Sequence, residues 1–354
     1  MTADETATDP PLGQPVGEGD RPVDPCPICG DRQPPERHRL REMLFGTREA
    51  FDYLRCRNCG ALRIASVPVD LSPYYPPDYY GESAAALGPP ARPRGWGLAA
   101  VAGAARDRKV LLNRGRRQAR WLERWAPPLR PEVRRTSTFS RKARLRSFDD
   151  PILDVGCGRR ATYLANLQAV GFRNLLGIDP FLEDDGEFEG IPLRRQSIQE
   201  VAGRFQAITF NHSFEHVPDP QATLEAAAKR LRPGGVVLIR TPVMGTWFWE
   251  EFGRDWWELD APRHLFVHTQ ASLEHLAAGA GLALADVVWD SSIVEIIASE
   301  QIARDIAWRE PASWLMTPPA GFDEATLDAY RTKVTELNAT GRAGRAGFYF
   351  RRLA

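Results

Sequence analysis

Two acids and two glycines at the ends of successive apolar runs carry the clearest chemistry in this chain. Ile152-Leu153-Asp154-Val155-Gly156-Cys157-Gly158 reads as a buried parallel strand closed by an acid and two glycines one residue apart. A second run, Asn174 to Ile178, ends in Asp179. Glycines at such a turn let backbone N–H groups approach a ligand with no side chain in the way. An acid closing the second strand can accept hydrogen bonds from both hydroxyls of a ribose. The pattern predicts a nucleoside pocket at the carboxyl edge of an open α/β sheet. A nicotinamide dinucleotide site usually has the form G-x-G-x-x-G. Here Gly158 is followed by Arg159, Arg160, Ala161 and Thr162, so the third glycine is missing.

Four of the five cysteines form two C-x-x-C pairs, Cys26/Cys29 and Cys56/Cys59, each followed by glycine. With 26 residues between the pairs, they fit a tetrahedral four-thiolate zinc site. A closed four-cysteine site has no open position for water, so its expected role is structural. Cys157 stands apart and reads as a small buried residue.

Further along, Phe205 to Phe210 reads as a third core strand, followed by Asn211-His212-Ser213-Phe214 and then Glu215-His216-Val217-Pro218-Asp219-Pro220. Asp219 is a good N-cap and Pro220 a good first residue for a helix from Gln221 to Leu231. Arg232-Pro233-Gly234-Gly235 stops that helix, and Val236 to Ile239 makes the next strand. This series resembles the class I S-adenosylmethionine (SAM) methyltransferases, whose first motif looks like L-D-V-G-C-G. The resemblance covers roughly residues 150 to 290. It implies that Asp154, Gly156 and Gly158 line the methionine end of SAM, that Asp179 holds the ribose, and that Asn211 joins the cofactor residues. The family often has a glycine where Arg160 stands; Arg160 could itself supply a positive partner for the SAM carboxylate.

Methyl transfer from a sulfonium is an in-line displacement with a good leaving group. The protein must align acceptor and methyl, and often remove the acceptor's proton. Glu215 and His216 follow the third core strand, at the sheet edge where ligands bind in such folds. A histidine ordinarily titrates near neutrality and suits a general base. The chain also resembles sugar methyltransferases of deoxysugar and surface-glycan pathways, which join a cysteine-rich N-terminal module to a SAM domain and carry tyrosines in the connection. There a Glu-His pair and an N-terminal tyrosine form the acceptor site. The resemblance implies His216 as base, Glu215 as its orienter or a sugar-hydroxyl acceptor, Tyr79 as a further catalytic residue and Tyr80 as a substrate-binding one. Those two lie in Pro73-Tyr74-Tyr75-Pro76-Pro77-Asp78-Tyr79-Tyr80-Gly81, four tyrosines in nine residues. A second cluster, Trp247, Trp249, Trp256 and Trp257 before Asp260-Ala261-Pro262-Arg263-His264-Leu265, offers aromatic faces and hydroxyl or phosphate partners. Arg263 and His264 are the second-tier acceptor residues, with plain hydrophobic anchoring the alternative for the tryptophans.

These residues need elements to hold them. The expected fold is α/β: a Rossmann-like seven-stranded sheet, with late strands at Leu282 to Val288 and Gly347 to Arg352 and a helix near Asp323 to Leu337 between them. A small zinc-ribbon-like module precedes it. The expected divisions are a disordered tail over 1–24, a zinc module with its tyrosine-rich connection over 25–82, a basic helical linker or lid over 83–148, and the methyltransferase domain over 149–354. From Arg106 to Arg146 there are 13 Arg and 2 Lys against 3 acids. That segment reads as a solvated face, a lid that attracts an anionic acceptor, or a contact with RNA or an anionic membrane surface. The 354 residues balance 46 basic against 46 acidic side chains, so charge alone does not make the molecule a polyanion binder. No signal peptide and no run of 18 apolar residues stands out, and the cytoplasm is the default location. The leading function is a SAM-dependent sugar methyltransferase, O- or C-methylating. The alternative is an RNA methyltransferase, since ribosomal guanine methyltransferases also place a zinc ribbon before a class I domain. A third reading is a binding protein that keeps SAM as a structural ligand.

Overall fold

The computed structural model describes residues 24–76, 106–112, 131–318 and 321–352. Its packing divides the chain into two compact units. The first gathers the described residues of Met1–Tyr74 with Pro242–His275 and Trp289–Ala346. The second gathers those of Tyr75–Thr241, Leu276–Val288 and Gly347–Ala354. Tyr79 and Tyr80 lie outside the described residues, as do the tail before Asp24 and most of the linker.

The first unit is built on a four-stranded sheet, β1 (Glu36–Arg41), β2 (Ala50–Arg55), β3 (Leu62–Ile64) and β10 (Phe266–Val267), in that spatial order. All three pairings are antiparallel. The strands are short and rich in arginine, so the sheet draws on side-chain anchors. Glu42, fully buried, accepts hydrogen bonds from the backbone N–H groups of Leu44, Phe45 and Thr47 and closes the β1–β2 turn. The helices Trp247–Phe252, Ile293–Ala303 and Glu324–Thr340 supply the remaining core, where Ile297, Ala298, Trp308, Phe322 and Leu327 cluster. Ser292 and Glu295 form a capping box on the middle helix, and Asp323 caps the last through the Thr326 N–H at 2.8 Å. Thus the helix expected near Asp323 to Leu337 runs from Glu324 to Thr340.

The second unit carries a mostly parallel sheet. Its strands are β4 (Ile152–Val155), β5 (Leu175–Ile178), β6 (Gly186–Phe188), β7 (Ile191–Arg194), β8 (Phe205–Asn211), β9 (Leu231–Pro242), β11 (Leu282–Trp289) and β12 (Arg345–Arg352). Their spatial order is β11-β12-β9-β8-β4-β5-β7-β6. β4 pairs in parallel with both β5 and β8, which makes it central. Every residue of β4 is buried, as a strand covered on both faces demands. The order reverses at β4, because the chain goes on to β5 on one side and later returns to β8 on the other. Ligands bind at such switch points, beyond the carboxyl ends of the strands.

Seven strands are expected from the sequence and eight are present among the described residues. The additional strand is β6, which forms an antiparallel hairpin with β7 at the sheet edge. Glu189 and Gly190 make its turn at φ 52° and 80°. Positive φ at both central residues gives the twist that joins adjacent antiparallel strands. β9 also starts earlier than the expected Val236, because Leu231 already pairs with Phe205 and a register shift follows. Gly235 sits in that irregularity, where a Cβ would come within 3.0–3.1 Å of the carbonyl oxygens of Arg232 and Phe205. The helix before it therefore ends at Arg230. The described parts of the arginine-rich segment, helix 106–112 and helix Pro131–Lys142, turn Leu111, Leu112, Val133 and Phe139 into the core of this unit.

Candidate functional site

The carboxyl end of β4 makes the first part of the site. Gly156 and Gly158 take φ 75° and 61°, a region costly for any residue with a side chain. At Gly156 the restriction is also steric, since a Cβ there would lie 2.4 Å from the Cβ of Ser213. The Gly158 N–H donates to Asp179 Oδ2 at 3.1 Å, and the Phe181 N–H donates to Asp179 Oδ1 at 2.9 Å. These two bonds fix the Asp179 carboxylate at the end of β5, and each oxygen keeps a further lone pair for a hydroxyl. Asp154 is buried and accepts a hydrogen bond from Thr209 Oγ1 at 2.6 Å. Burial pushes its carboxyl up to about 7, against the pull of the Thr209 hydroxyl. Cys157 is packed beside Gly177, and burial pushes its thiol well above the usual range. Arg160 is exposed. The bare glycine turn and the two fixed acids fit a nucleoside with a cationic amino-acid end.

The carboxyl end of β8 makes the second part. His212 adopts a left-handed backbone, φ 56°, and its N–H donates to the Arg240 carbonyl at 2.9 Å. That kink sends the next residues across the end of β4, where Ser213 Oγ donates to the Val155 carbonyl at 2.5 Å. Glu215 is fully buried; its Oε2 accepts from Thr241 Oγ1 at 3.0 Å, and its Oε1 lies 3.5 Å from His212 Nδ1. Arg240 Nη1 reaches His212 Nε2 at 2.5 Å and Asn211 Oδ1 at 3.4 Å. His216 Nδ1 lies 3.3 Å from the Tyr75 hydroxyl. Sequence reasoning selected Glu215, His216 and Asn211 but passed over Tyr75, His212 and Arg240. For His212 a signal existed, its i,i+3 spacing from Glu215 at the end of a strand. Tyr75 stands in the tyrosine run already singled out, four residues before Tyr79.

The four C-x-x-C cysteines come together in the first unit. Cys26 Sγ lies 3.8 Å from Cys59 Sγ and Cys29 Sγ 3.6 Å from Cys56 Sγ, and all four sulfurs lie within 4.8 Å of one another. A tetrahedral zinc with Zn–S bonds near 2.3 Å separates its sulfurs by about 3.8 Å. The two turns are alike: Gly30 and Gly60 take φ 73° and 72°, and their N–H groups donate to the Cys26 and Cys56 carbonyls. Backbone N–H groups of Ile28 and Cys29 also point at the Cys26 sulfur, and those of Asn58 and Cys59 at the Cys56 sulfur. The Cys59 sulfur and the N–H groups of Cys29 and Ile28 hold the Cys26 thiol below its usual range. The donor set and its spacing fit a tetrahedral thiophilic cation.

Arg263 and His264 are both buried in the first unit. Arg263 binds Glu42 Oε1 at 2.7 Å, Asp260 Oδ1 at 2.6 Å and the Tyr74 carbonyl at 3.2 Å. His264 Nδ1 lies 2.8 Å from the Glu258 carbonyl. The tryptophans pack as anchors: Trp256 is 1 % exposed, Trp257 lies 5.4 Å from the Trp308 ring, and Trp249 meets His38 edge-on. The Arg263 guanidinium thus neutralises a carboxylate that organises the β1–β2 turn. Arg263→Ala is expected to cost about 3–5 kcal/mol of stability, because it strands the buried Glu42 charge. Denaturant unfolding at neutral pH measures this, and a loss below about 1 kcal/mol would show the ion pair to be dispensable.

The fold and the glycine–acid site define a Rossmann-like methyltransferase. The family model described as a methyltransferase domain matches residues 107–287, just over half of the chain. The chain belongs to that family and carries a methyltransferase domain. It is 33% identical over 102 residues to the ubiquinone biosynthesis O-methyltransferase of Dechloromonas aromatica, covering 25% of this chain and 43% of the relative. It is 31% identical over 109 residues to the protein of the same name from Xanthomonas oryzae, covering 28% and 46%. The chain thus spans less than half the length of the curated relatives it matches. Among solved structures, a SAM-dependent methyltransferase from Mesorhizobium loti aligns with TM-score 0.36 and 16% identity over 58% of this chain and 91% of that one. No helix among the described residues is long and apolar enough to cross a membrane.

Proposed function

We propose that the protein transfers the methyl group of SAM to a hydroxyl of a small polar acceptor, a sugar carried on a nucleotide or within a glycan, with His216 as general base. The observation that carries the base is the 3.3 Å approach of the Tyr75 hydroxyl to His216 Nδ1 at the carboxyl end of β8. If Nδ1–H donates to the tyrosine oxygen, the tautomer is fixed and Nε2 is the basic nitrogen. Tyr75 then takes the part assigned from sequence to Tyr79 and Tyr80. When bound, SAM supplies an electrophilic methyl on a sulfonium that leaves as a neutral thioether. With that methyl delivered to the acceptor oxygen, His216 would take up the hydroxyl proton, so that no charge would be left on the methylated oxygen.

Asp179 would hold the ribose, while Gly156, Gly158, Asp154 and Asn211 would line the methionine end. Glu215, buried between Thr241 and His212, would act as the fixed charge that sets the loop carrying His216. His264 stays a proposed acceptor residue. Arg263, bound to Glu42 and Asp260 within the first unit, would hold the loop that carries His264. The four cysteines would hold a structural zinc.

A second reading, methylation of a phenolic hydroxyl, has support of its own: the matched relatives are named ubiquinone biosynthesis O-methyltransferases. Incubation with methyl-labelled SAM and a fractionated extract of the producing cells separates the two. Label in nucleotide sugars or glycan supports the sugar. Label in the lipid-soluble phenol fraction replaces the sugar with a phenol, and label in RNA overturns both.

A further inference from the structure

The strand that completes the cysteine-bearing sheet comes from far along the chain. β10 pairs with β3 through Phe266 opposite Arg63 and Val267 opposite Leu62. The strands have three and two residues, too few for a stable pair by themselves. Their register is held from both ends. At one end the Ile64 N–H donates to the Leu265 carbonyl at 3.0 Å. At the other, Thr269 Oγ1 donates to the carbonyl of Cys59 at 2.6 Å. Gly60, next to that cysteine, leaves room for the threonine: a Cβ there would lie 3.1 Å from Thr269 Cγ2. The residues just before β10 are tied to the same sheet, since the Tyr53 hydroxyl donates to the His264 carbonyl at 2.9 Å and Arg263 binds Glu42 at 2.7 Å.

We infer that the four-thiolate cluster is a positioning device for the 263–269 segment: metal held by Cys26, Cys29, Cys56 and Cys59 fixes the turn at Cys59-Gly60, and that turn fixes Thr269, β10 and the His264 loop. This rests on the reading of the cysteines as a metal site. The physical reason is local. Without a cation, four sulfurs at this spacing lose their common partner, and the Cys56–Cys59 turn loses its fourfold anchor. The Cys59 carbonyl then no longer presents a fixed acceptor to Thr269. The short β3–β10 pair keeps only one end, and short pairs open with the least free energy. The residues assigned to SAM, Asp154, Gly156, Gly158 and Asp179, belong to the other unit and are expected to keep their arrangement.

The test uses the full chain. Metal content is measured first by elemental analysis, then the metal is removed with a chelator. Hydrogen exchange is followed in peptides covering 262–269 and 152–158, and SAM affinity is measured by calorimetry. The expected result is one zinc per chain and, after removal, exchange in 262–269 faster by about tenfold or more. Peptides over 152–158 and the SAM dissociation constant are expected to stay within twofold. Thr269→Val is expected to keep its zinc yet show faster exchange over 264–268. Unchanged exchange over 262–269 in the metal-free protein overturns the coupling and leaves the metal site standing. Simultaneous loss of protection everywhere, with loss of SAM binding, overturns it too, because the metal would then hold the whole fold. A protein that carries no metal and shows four freely reactive thiols overturns the metal reading and this inference with it.

Discussion

His216→Ala is expected to lower turnover by about 10²–10⁴-fold while SAM still binds, the range for loss of a positioned general base. A neutral hydroxyl attacking a sulfonium methyl develops positive charge on its oxygen, and a base that accepts the proton in the transition state removes that charge. His216 sits in the turn that follows β8 and is paired through Nδ1 with Tyr75. Tyr75→Phe removes the ring's orienting partner and keeps the base, so its expected loss is smaller, about tenfold. The measurement is kcat and the SAM dissociation constant for each variant, with kcat followed across pH. A base leaves a signature that a packing residue does not: the dependence of kcat on pH seen in the wild type is lost in His216→Ala. Near-wild-type turnover in His216→Ala would remove the histidine from the mechanism.

Asp179→Ala is expected to weaken SAM binding by about 10²-fold or more. The carboxylate is buried and already fixed by the Gly158 and Phe181 N–H groups, so it is set in place before a ligand arrives. Hydrogen bonds to a charged acceptor contribute about 1.5–3 kcal/mol each, and a ribose offers two hydroxyls. Asp179→Asn keeps one oxygen acceptor and adds a donor where a hydroxyl must also donate, so it is expected to fall between alanine and the wild type. Calorimetric titration with SAM and with S-adenosylhomocysteine reads the effect on both ligands, which share the ribose. Binding of either within threefold of the wild type would show that the acid closing β5 does not hold the ribose.

The glycine–acid half of the site was legible because its chemistry is local. A strand ending in Asp154-Val155-Gly156 announces itself by residue type within a few positions, and Asp179 closes the neighbouring strand in the same way. The chain order of β4, β5, β8 and β9 followed from apolar runs and the Asp219-Pro220 helix start. The β6–β7 hairpin did not, since its turn is Glu189-Gly190 and its first strand is barely apolar. β10 could not be read either: two residues carry no periodicity. Arg263 shows a different limit. Its residue type suggested a ligand contact, but its surroundings are set by Glu42, 221 positions away. Glu215, paired by adjacency with His216, does place a carboxylate oxygen within 4.8 Å of a nitrogen of that ring, and the left-handed backbone of His212 brings a second ring 3.5 Å from the same carboxylate. Tertiary proximity of this kind follows from a backbone kink that neighbouring residue types do not specify.

The late arrival of β10 has a consequence for how the chain is made. β1, β2 and β3 leave the ribosome about 200 residues before Phe266, a delay of roughly 10–40 s at ordinary synthesis rates. During that time β3 offers an unpaired edge, which invites pairing with another nascent chain. The two cysteine pairs are complete from residue 59 onward, so a cation captured early would stiffen the base of that edge while it waits. Scarcity of the metal during growth is therefore expected to show first as aggregation of newly made protein, before any loss in molecules already folded.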